Sequence, residues 1–275
     1  SLCRCWLQQS RNARSKEYYL NLIKFSQNMI KDLEFFLKNI FFSEKYLLNK
    51  RLKRALKNNY EKELALINKF TNRDKSAVDV GVYRGVYSYK LSQEFKHVYA
   101  FEPNPLIYPF LKKNLTKIIT NLTLNNCALS NTTGATILKI PARSKSIFKN
   151  NVEELYKLGA ATIHEKNNFN FYKSIKVPRI KLDDYLKNDN IGFIKIDVEG
   201  HEREVIEGAK NIIIKYKPIL LVEIEERHNK KPVLETIHLI NQLGYSAFFC
   251  KNNELNSVNK LVNFNKENNF YFLPL

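Results

Sequence analysis

Between Glu17 and about Phe70, apolar positions recur every three or four residues: Tyr18, Leu22, Phe25, Met29, Leu33, Phe36 and Ile40, then Leu47, Leu48, Leu52, Ala55 and Leu56. That period predicts amphipathic helix, with a break near Ser43, a residue suited to cap a second helix. From Ser76 the pattern changes to short apolar runs alternating with longer amphipathic stretches. These predict strands over 76–80, 97–102, 121–127, 191–197 and 217–224, and helices over 84–95, 104–117, 200–215 and 231–243. Near-continuous apolar strands separated by helices predict a mostly parallel sheet covered on both faces, an α/β fold. Segments 244–250 and 270–273 read as two further strands joined by an Asn-rich loop, which adds an antiparallel element at one sheet edge. Residues 135–179 read as an irregular insertion with strand-like ends at 136–140 and 171–177. The expected organisation is a basic helical N-terminal extension over 1–72 and an α/β domain over 73–275. Within that domain, residues 141–176 would cover a substrate.

Composition and charge refine this picture in three ways. The chain has 275 residues and is 44% hydrophobic, enough for one substantial domain with an appendage and too apolar for a disordered protein. Its formal charge is +18. Residues 1–75 hold 17 Lys and Arg against 7 Asp and Glu, a net of +10, so the excess is concentrated at the N-terminal side. The densest run, Lys50-Arg51-Leu52-Lys53-Arg54-Ala55-Leu56-Lys57, could meet RNA, an anionic membrane surface or an acidic glycan, or could be a solvated helix face. No apolar run approaches the roughly 20 residues of a transmembrane helix. The first residues lack the apolar core of a secretory signal, and Cys3 and Cys5 lack zinc-ligand spacing. A reduced, cytoplasmic setting is expected.

The candidate chemistry lies at strand ends. Asp197 and Glu199 follow the apolar run Phe193, Ile194, Ile196, and Gly200 then lets the chain turn into a helix. Open α/β sheets place their ligands at the carboxyl ends of strands, beside such turns. A second edge reads Asp79-Val80-Gly81-Val82-Tyr83-Arg84-Gly85, followed by Phe101-Glu102-Pro103-Asn104. A carboxylate at Glu102 could accept hydrogen bonds from both hydroxyls of a ribose. Only two glycines occur where the dinucleotide fingerprint has three, so a pyrophosphate cradle is not evident. A cofactor with a ribose and no phosphate fits better, and S-adenosylmethionine is the natural one.

In fixed order, Asp79-Val80-Gly81, Phe101-Glu102-Pro103-Asn104-Pro105, Asn126-Cys127-Ala128-Leu129-Ser130-Asn131 with Gly134, Leu182-Asp183-Asp184 and Lys195-Ile196-Asp197-Val198-Glu199-Gly200-His201-Glu202 make up a set. Over about residues 76–225 this set resembles the FkbM family of S-adenosylmethionine-dependent methyltransferases. The resemblance implies a class I methyltransferase fold with a seven-stranded sheet and, for many members, O-methylation of sugar hydroxyls. Carried over by position, it implies that Asp79, Gly81 and Gly85 line the methionine part of the cofactor, with Ser88 hydrogen-bonding the same end. Glu102 would hold the ribose, with Pro103 and Asn104 beside it. Asn126 and Ala128 would flank the adenine, and Asp197 would face the reacting methyl group. The family usually reads Gly-Ala-Asn-x-Gly in the first loop. Here Tyr83 replaces the amide that would contact the cofactor's carboxylate, and Arg84 could supply that anion contact.

Methyl transfer is an in-line displacement, so positioning dominates, and a base that takes the acceptor's proton helps. His201 and Glu199 are the candidate bases, and Glu223 faces the same cleft from the neighbouring strand, where His164 and His228 could join it. Glu199 and Glu202 could equally be carboxylates that stabilise a helix N-terminus. No pair among Asp197, Glu199, Glu223 and His228 has dedicated metal-ligand spacing, so an unmetallated cleft is expected. The expected partner is a hydroxylated acceptor, a glycan or small molecule, with homo-oligomerisation possible through the N-terminal helices. A rival reading is an RNA-binding protein or RNA methyltransferase that uses the basic region. It is less favoured because no base-methylation motif occurs and no aromatics are interleaved as stacking platforms. A third is a degenerate fold that binds cofactor without turnover.

Overall fold

The computed structural model describes residues 42–58, 61–142, 158–164, 170–226, 232–261, 264 and 267–275. The apolar stripe from Tyr18 to Ile40 and His228 lie outside the described residues, as do parts of the expected cover. The chain forms two compact units, Ser1–Leu48 and Asn49–Leu275. Ser43 caps helix α1 (Glu44–Lys57) as expected, its hydroxyl accepting the Tyr46 amide at 3.2 Å. Along the rest of α1, Leu52 and Ala55 are buried while Lys50, Arg51, Lys53, Arg54 and Lys57 are exposed, so the basic run lies on the outer face of the helix.

The second unit is built on one sheet. Its strands are β1 (Ser76–Val80), β2 (Val98–Phe101), β3 (Leu122–Asn125), β7 (Ile191–Ile196), β8 (Ile219–Glu223), β9 (Tyr245–Lys251), β10 (Glu254–Ser257) and β11 (Asn269–Pro274), in the order β10-β9-β11-β8-β7-β1-β2-β3. Five central strands pair in parallel, and β11 runs antiparallel to both β8 and β9. This is the mostly parallel sheet that was expected, with its antiparallel edge. It has eight strands instead of seven. The extra strand comes from the segment read as an Asn-rich loop. Asn252 and Asn253 adopt φ of 54° and 58°, and Lys251 pairs with Glu254, so the two asparagines form a two-residue hairpin turn of the type that asparagine tolerates.

The strand-like ends expected at 136–140 and 171–177 are strands. Strands β5 (Gly134–Pro141) and β6 (Tyr172–Ile180) pair antiparallel over their whole length, and β4 (Ala128–Leu129) joins β6 in a second, three-stranded sheet. Helices α2 (Val86–Glu94), α3 (Tyr108–Asn114), α4 (Leu182–Tyr185), α5 (Glu202–Gly208), α6 (Lys210–Tyr216) and α7 (Val233–Asn241) complete the unit. The single helix expected over 200–215 is broken at Ala209 into α5 and α6. A Cβ on Gly208 would lie 2.0 Å from the Ser130 carbonyl oxygen, so glycine at this break lets the chain after β4 approach the helix.

The boundary expected after residue 72 falls inside the second unit. A 3₁₀ helix over Lys62–Phe70 buries Leu64, Leu66 and Ile67 against Tyr87, Leu91, Phe95, Phe193 and Tyr271. The Tyr271 hydroxyl donates to the Glu63 carbonyl at 2.7 Å. The periodic pattern there is a core face of the α/β body. No helix among the described residues is long and apolar enough to cross a membrane.

Candidate active site

The carboxyl ends of β1, β2 and β7 meet around one cleft. It is lined on one side by Gly81, Tyr83, Glu102, Pro103 and Ala128, and on the other by Asp197, Glu199 and His201. Gly159, Ala161, Thr162 and Ile163, the described part of the expected cover, line it as well. Local backbone geometry explains why these elements converge. Gly81 has φ of 90°, and a Cβ there would sit 1.9 Å from the Asp197 carbonyl oxygen. Only glycine lets the first loop touch the end of β7. Across the cleft, Glu199 and Gly200 have φ of 54° and 103°, which turns the chain sharply after Asp197 into α5.

Glu102 is held rigidly. Its two carboxylate oxygens accept the amides of Tyr83 and Asn104, each at 2.8 Å, and the Asn126 side-chain amide donates to the Glu102 carbonyl, also at 2.8 Å. Burial pushes its carboxyl up to about 7, against the two amides, which favour the charged form. Asp79 is likewise pushed up to about 7 by burial, opposed by the Ser88 hydroxyl that donates to it at 2.5 Å. Glu223 is pushed up to about 9, first by burial and then by the Asp197 charge beside it; Asn268 donates to it at 2.8 Å.

The structure therefore divides the expected site residues into two groups. Gly81, Tyr83, Glu102, Pro103, Ala128, Asp197, Glu199 and His201 line the cleft. Asp79, Gly85, Ser88, Asn104, Asn126 and Glu223 are not among the residues that line it. Ser88 and Asn104 are fully buried, and Asn104 turns its side-chain oxygen to the Leu106 amide, which makes it a loop cap. Gly85, at φ of 77°, opens α2 with no room for a Cβ against Leu115. Glu202 accepts the Gly200 amide at 2.8 Å, the helix-start role allowed for it. His201 has an oxygen beside each ring nitrogen: Nε2 lies 3.0 Å from the Ser130 hydroxyl and Nδ1 3.4 Å from a Glu204 carboxylate oxygen.

Tyr83, the residue that departs from the family pattern, has φ of 46°, a left-handed conformation that asparagine adopts more readily than tyrosine. Its ring lies where a Cβ on Gly159 would come within 3.0 Å, so it packs against the cover. The Arg84 guanidinium stacks 5.0 Å above that ring.

Two further groups were not anticipated. Lys195, 1% exposed within the central strand, places its ammonium 3.9 Å from Asp197, 3.3 Å from the Asn269 side-chain oxygen and 4.9 Å above the Tyr87 ring. Its signal was a lysine inside an otherwise apolar parallel strand, where a buried charge needs partners. Thr162 ties the cover to the strand end, its hydroxyl donating to the Glu199 carbonyl at 2.9 Å. A threonine in a loop gave no such indication.

Against known proteins, the profile of the methyltransferase FkbM domain matches residues 79–247. The methyltransferase sdnD of Sordaria araneosa is 26% identical over 183 residues, 58% of this chain and 70% of that protein. Among solved structures, a methyltransferase FkbM from Methylobacillus flagellatus is similar at a TM-score of 0.47 and 16% identity, covering 73% of this chain; the chain spans 43% of that protein's length. The Streptococcus mutans protein SMU.1697c, determined in complex with SAH, is similar at a TM-score of 0.45 and 11% identity, covering 78% of this chain and 96% of that one.

Proposed function

This chain belongs to the FkbM methyltransferase family, and we propose that its cleft binds S-adenosylmethionine and methylates a hydroxyl of a sugar or small metabolite. The observation that carries the reading is Glu102, a carboxylate fixed by two backbone amides on the same cleft as Asp197 and Glu199. The residues fit the cofactor. Gly81 leaves no side chain between the first loop and Asp197, Glu102 offers its remaining lone pairs to a ribose diol, and Pro103 and Ala128 give apolar surface for a base.

When bound, the cofactor supplies a methyl group made electrophilic by its sulfonium. Asp197 would face that end and favour the positive charge there. The buried Lys195 and the raised carboxyl of Glu223 hold Asp197 in place from behind. Because His201 is buried with its Nε2 against the Ser130 hydroxyl, Glu199 is the better candidate for the base that takes the hydroxyl proton as the new C–O bond forms and the C–S bond of the donor breaks. The segment around Gly159–Ile163, tied down through Thr162, screens the reaction from water.

The test pairs calorimetry of S-adenosylmethionine binding with a panel of hydroxylated acceptors and labelled cofactor. Saturable cofactor binding with label transfer to a hydroxyl supports the proposal. Cofactor binding with transfer only to RNA would replace the acceptor assignment, and no cofactor binding would overturn the reading as a whole.

A further inference from the structure

A second cavity of about 520 Å³ adjoins the cleft, with His201 in the wall between them. Into its rim project His164, His201 and Glu204, whose ligand atoms all lie within 4.8 Å of one another. The three come from two elements that the fold brings together. His164 follows Thr162 in the cover, where its backbone amide donates to the Thr162 hydroxyl at 3.0 Å while that hydroxyl grips the Glu199 carbonyl. His201 stands at the start of α5, and Glu204 follows it by three residues on the same helix face.

The imidazole of His201 is preset for ligation. Its Nε2 lies 3.0 Å from the Ser130 oxygen, and the Ser130 hydroxyl proton is directed at the Asn131 side-chain oxygen at 3.4 Å. In the tautomer whose Nε2–H donates to Ser130, Nδ1 carries its lone pair on the Glu204 side. A ligating histidine commonly donates its other ring N–H to an oxygen acceptor, which fixes its tautomer, and the Ser130 hydroxyl oxygen is placed to be one. The separation of Nδ1 from the Glu204 oxygen is 3.4 Å. That is about the edge of a tetrahedron whose metal–ligand bonds are about 2.0–2.1 Å.

We propose that His164, His201 and Glu204 bind one divalent transition-metal ion of the zinc class, with the remaining position open to the second cavity. Two imidazoles and one carboxylate form a donor set that suits zinc and leaves a site for water or an oxygen ligand. The expectation of an unmetallated cleft rested on linear spacing and on Asp197, Glu199, Glu223 and His228. His164 is distant in sequence and reaches His201 only through the fold. The site goes beyond the methyl-transfer reading and does not depend on it, because ligation can be measured without cofactor or acceptor.

The experiment uses the full chain, free of any affinity tag and stripped with chelator. It is titrated with Zn²⁺ by calorimetry and with Co²⁺ by visible absorption. One ion per chain should bind at micromolar concentration or tighter, with Co²⁺ giving the d–d bands of a low-coordinate nitrogen and oxygen site. His164→Ala and Glu204→Gln should each weaken binding more than about 100-fold, and Ser130→Ala about 10- to 100-fold through the lost orientation of His201. Circular dichroism and melting temperature establish that each variant is folded. The proposal is overturned if no ion binds, which would make His201 and Glu204 a simple imidazolium–carboxylate pair. It is equally overturned if folded variants bind as tightly as the parent chain. A parallel titration with S-adenosylmethionine keeps failure of the metal site distinct from failure of the cofactor assignment.

Discussion

Replacing Glu102 with glutamine isolates the charge at the ribose position with little change in shape. The glutamine oxygen can still accept one of the two amides, Tyr83 or Asn104, that the carboxylate now accepts at 2.8 Å each. Alanine would strand both amides and confuse binding with folding. Hydrogen bonds to a charged acceptor contribute about 1.5–3 kcal/mol, so Glu102→Gln should weaken S-adenosylmethionine about 10- to 150-fold. Folding should respond in the opposite sense. Burial lifts the carboxyl from 4.5 to about 7, so the ionised group costs on the order of 3 kcal/mol in the empty protein above neutral pH. The glutamine variant should therefore melt no lower than the parent at pH 8. The pH dependence adds a signature: only the ionised form accepts both ribose hydroxyls, so affinity should rise with pH up to about 7 and then level off. In the variant this rise should flatten. Calorimetric titrations of cofactor between pH 5.5 and 8.5, with melting curves at each pH, measure both effects. A folded Glu102→Gln protein with parental affinity and the parental pH profile would refute the ribose assignment.

Other perturbations probe the remaining links. Asp197→Asn should cut turnover at least about 100-fold in a label-transfer assay while shifting the melting temperature by only a few degrees, because its side chain is partly exposed. Gly81→Ala should abolish cofactor binding and lower stability, since its Cβ would collide with the Asp197 carbonyl at 1.9 Å; an unchanged protein would show that the first loop can shift. Ile67→Ala, at a fully buried position, should destabilise by about 2–5 kcal/mol in urea unfolding, whereas an effect under about 0.5 kcal/mol would return residues 62–70 to an independent extension. Asp79, Glu102 and Glu223 all have carboxyls raised in the folded state, so the fold binds more protons than the unfolded chain from about pH 4 to 7, and to about 9 for Glu223. Stability of the cofactor-free protein should thus fall as pH rises through that window; Glu102→Gln should lessen the slope, and a slope identical in the variant would contradict the burial argument.

The central strands were legible because each is an apolar run bounded by polar turns, and buried parallel strands leave little else to read. The residues that line the cleft were also legible where a motif carried them, as at Glu102 and Asp197. What escaped was information held in backbone conformation or in distant pairing. Asn252 and Asn253 turn an expected loop into a hairpin because both accept positive φ, which an asparagine-rich composition permits but does not announce. The stripe at Leu64, Leu66 and Ile67 records burial correctly, yet period alone does not say against what. Asn126, expected beside an adenine, bonds the Glu102 carbonyl, a choice fixed by how β2 lies beside the chain after β3. His164 and His201 are neighbours only because β5 and β6 carry the cover back over the end of β7.

The contact between Gly81 and the Asp197 carbonyl has a mechanical consequence. Two strand ends that touch through main-chain atoms have no side chain between them to act as a cushion, so the loop proposed to seat the donor and the carboxylate proposed to face its methyl group form one inelastic jaw. The opposing jaw reaches the strand end through side-chain contacts such as the Thr162 hydroxyl and the Tyr83 ring. Substitutions there can reshape the gap a few tenths of an ångström at a time without disturbing the alignment of donor and carboxylate. Changes of acceptor in chains built this way should therefore accumulate in the 141–176 segment, while position 81 stays silent.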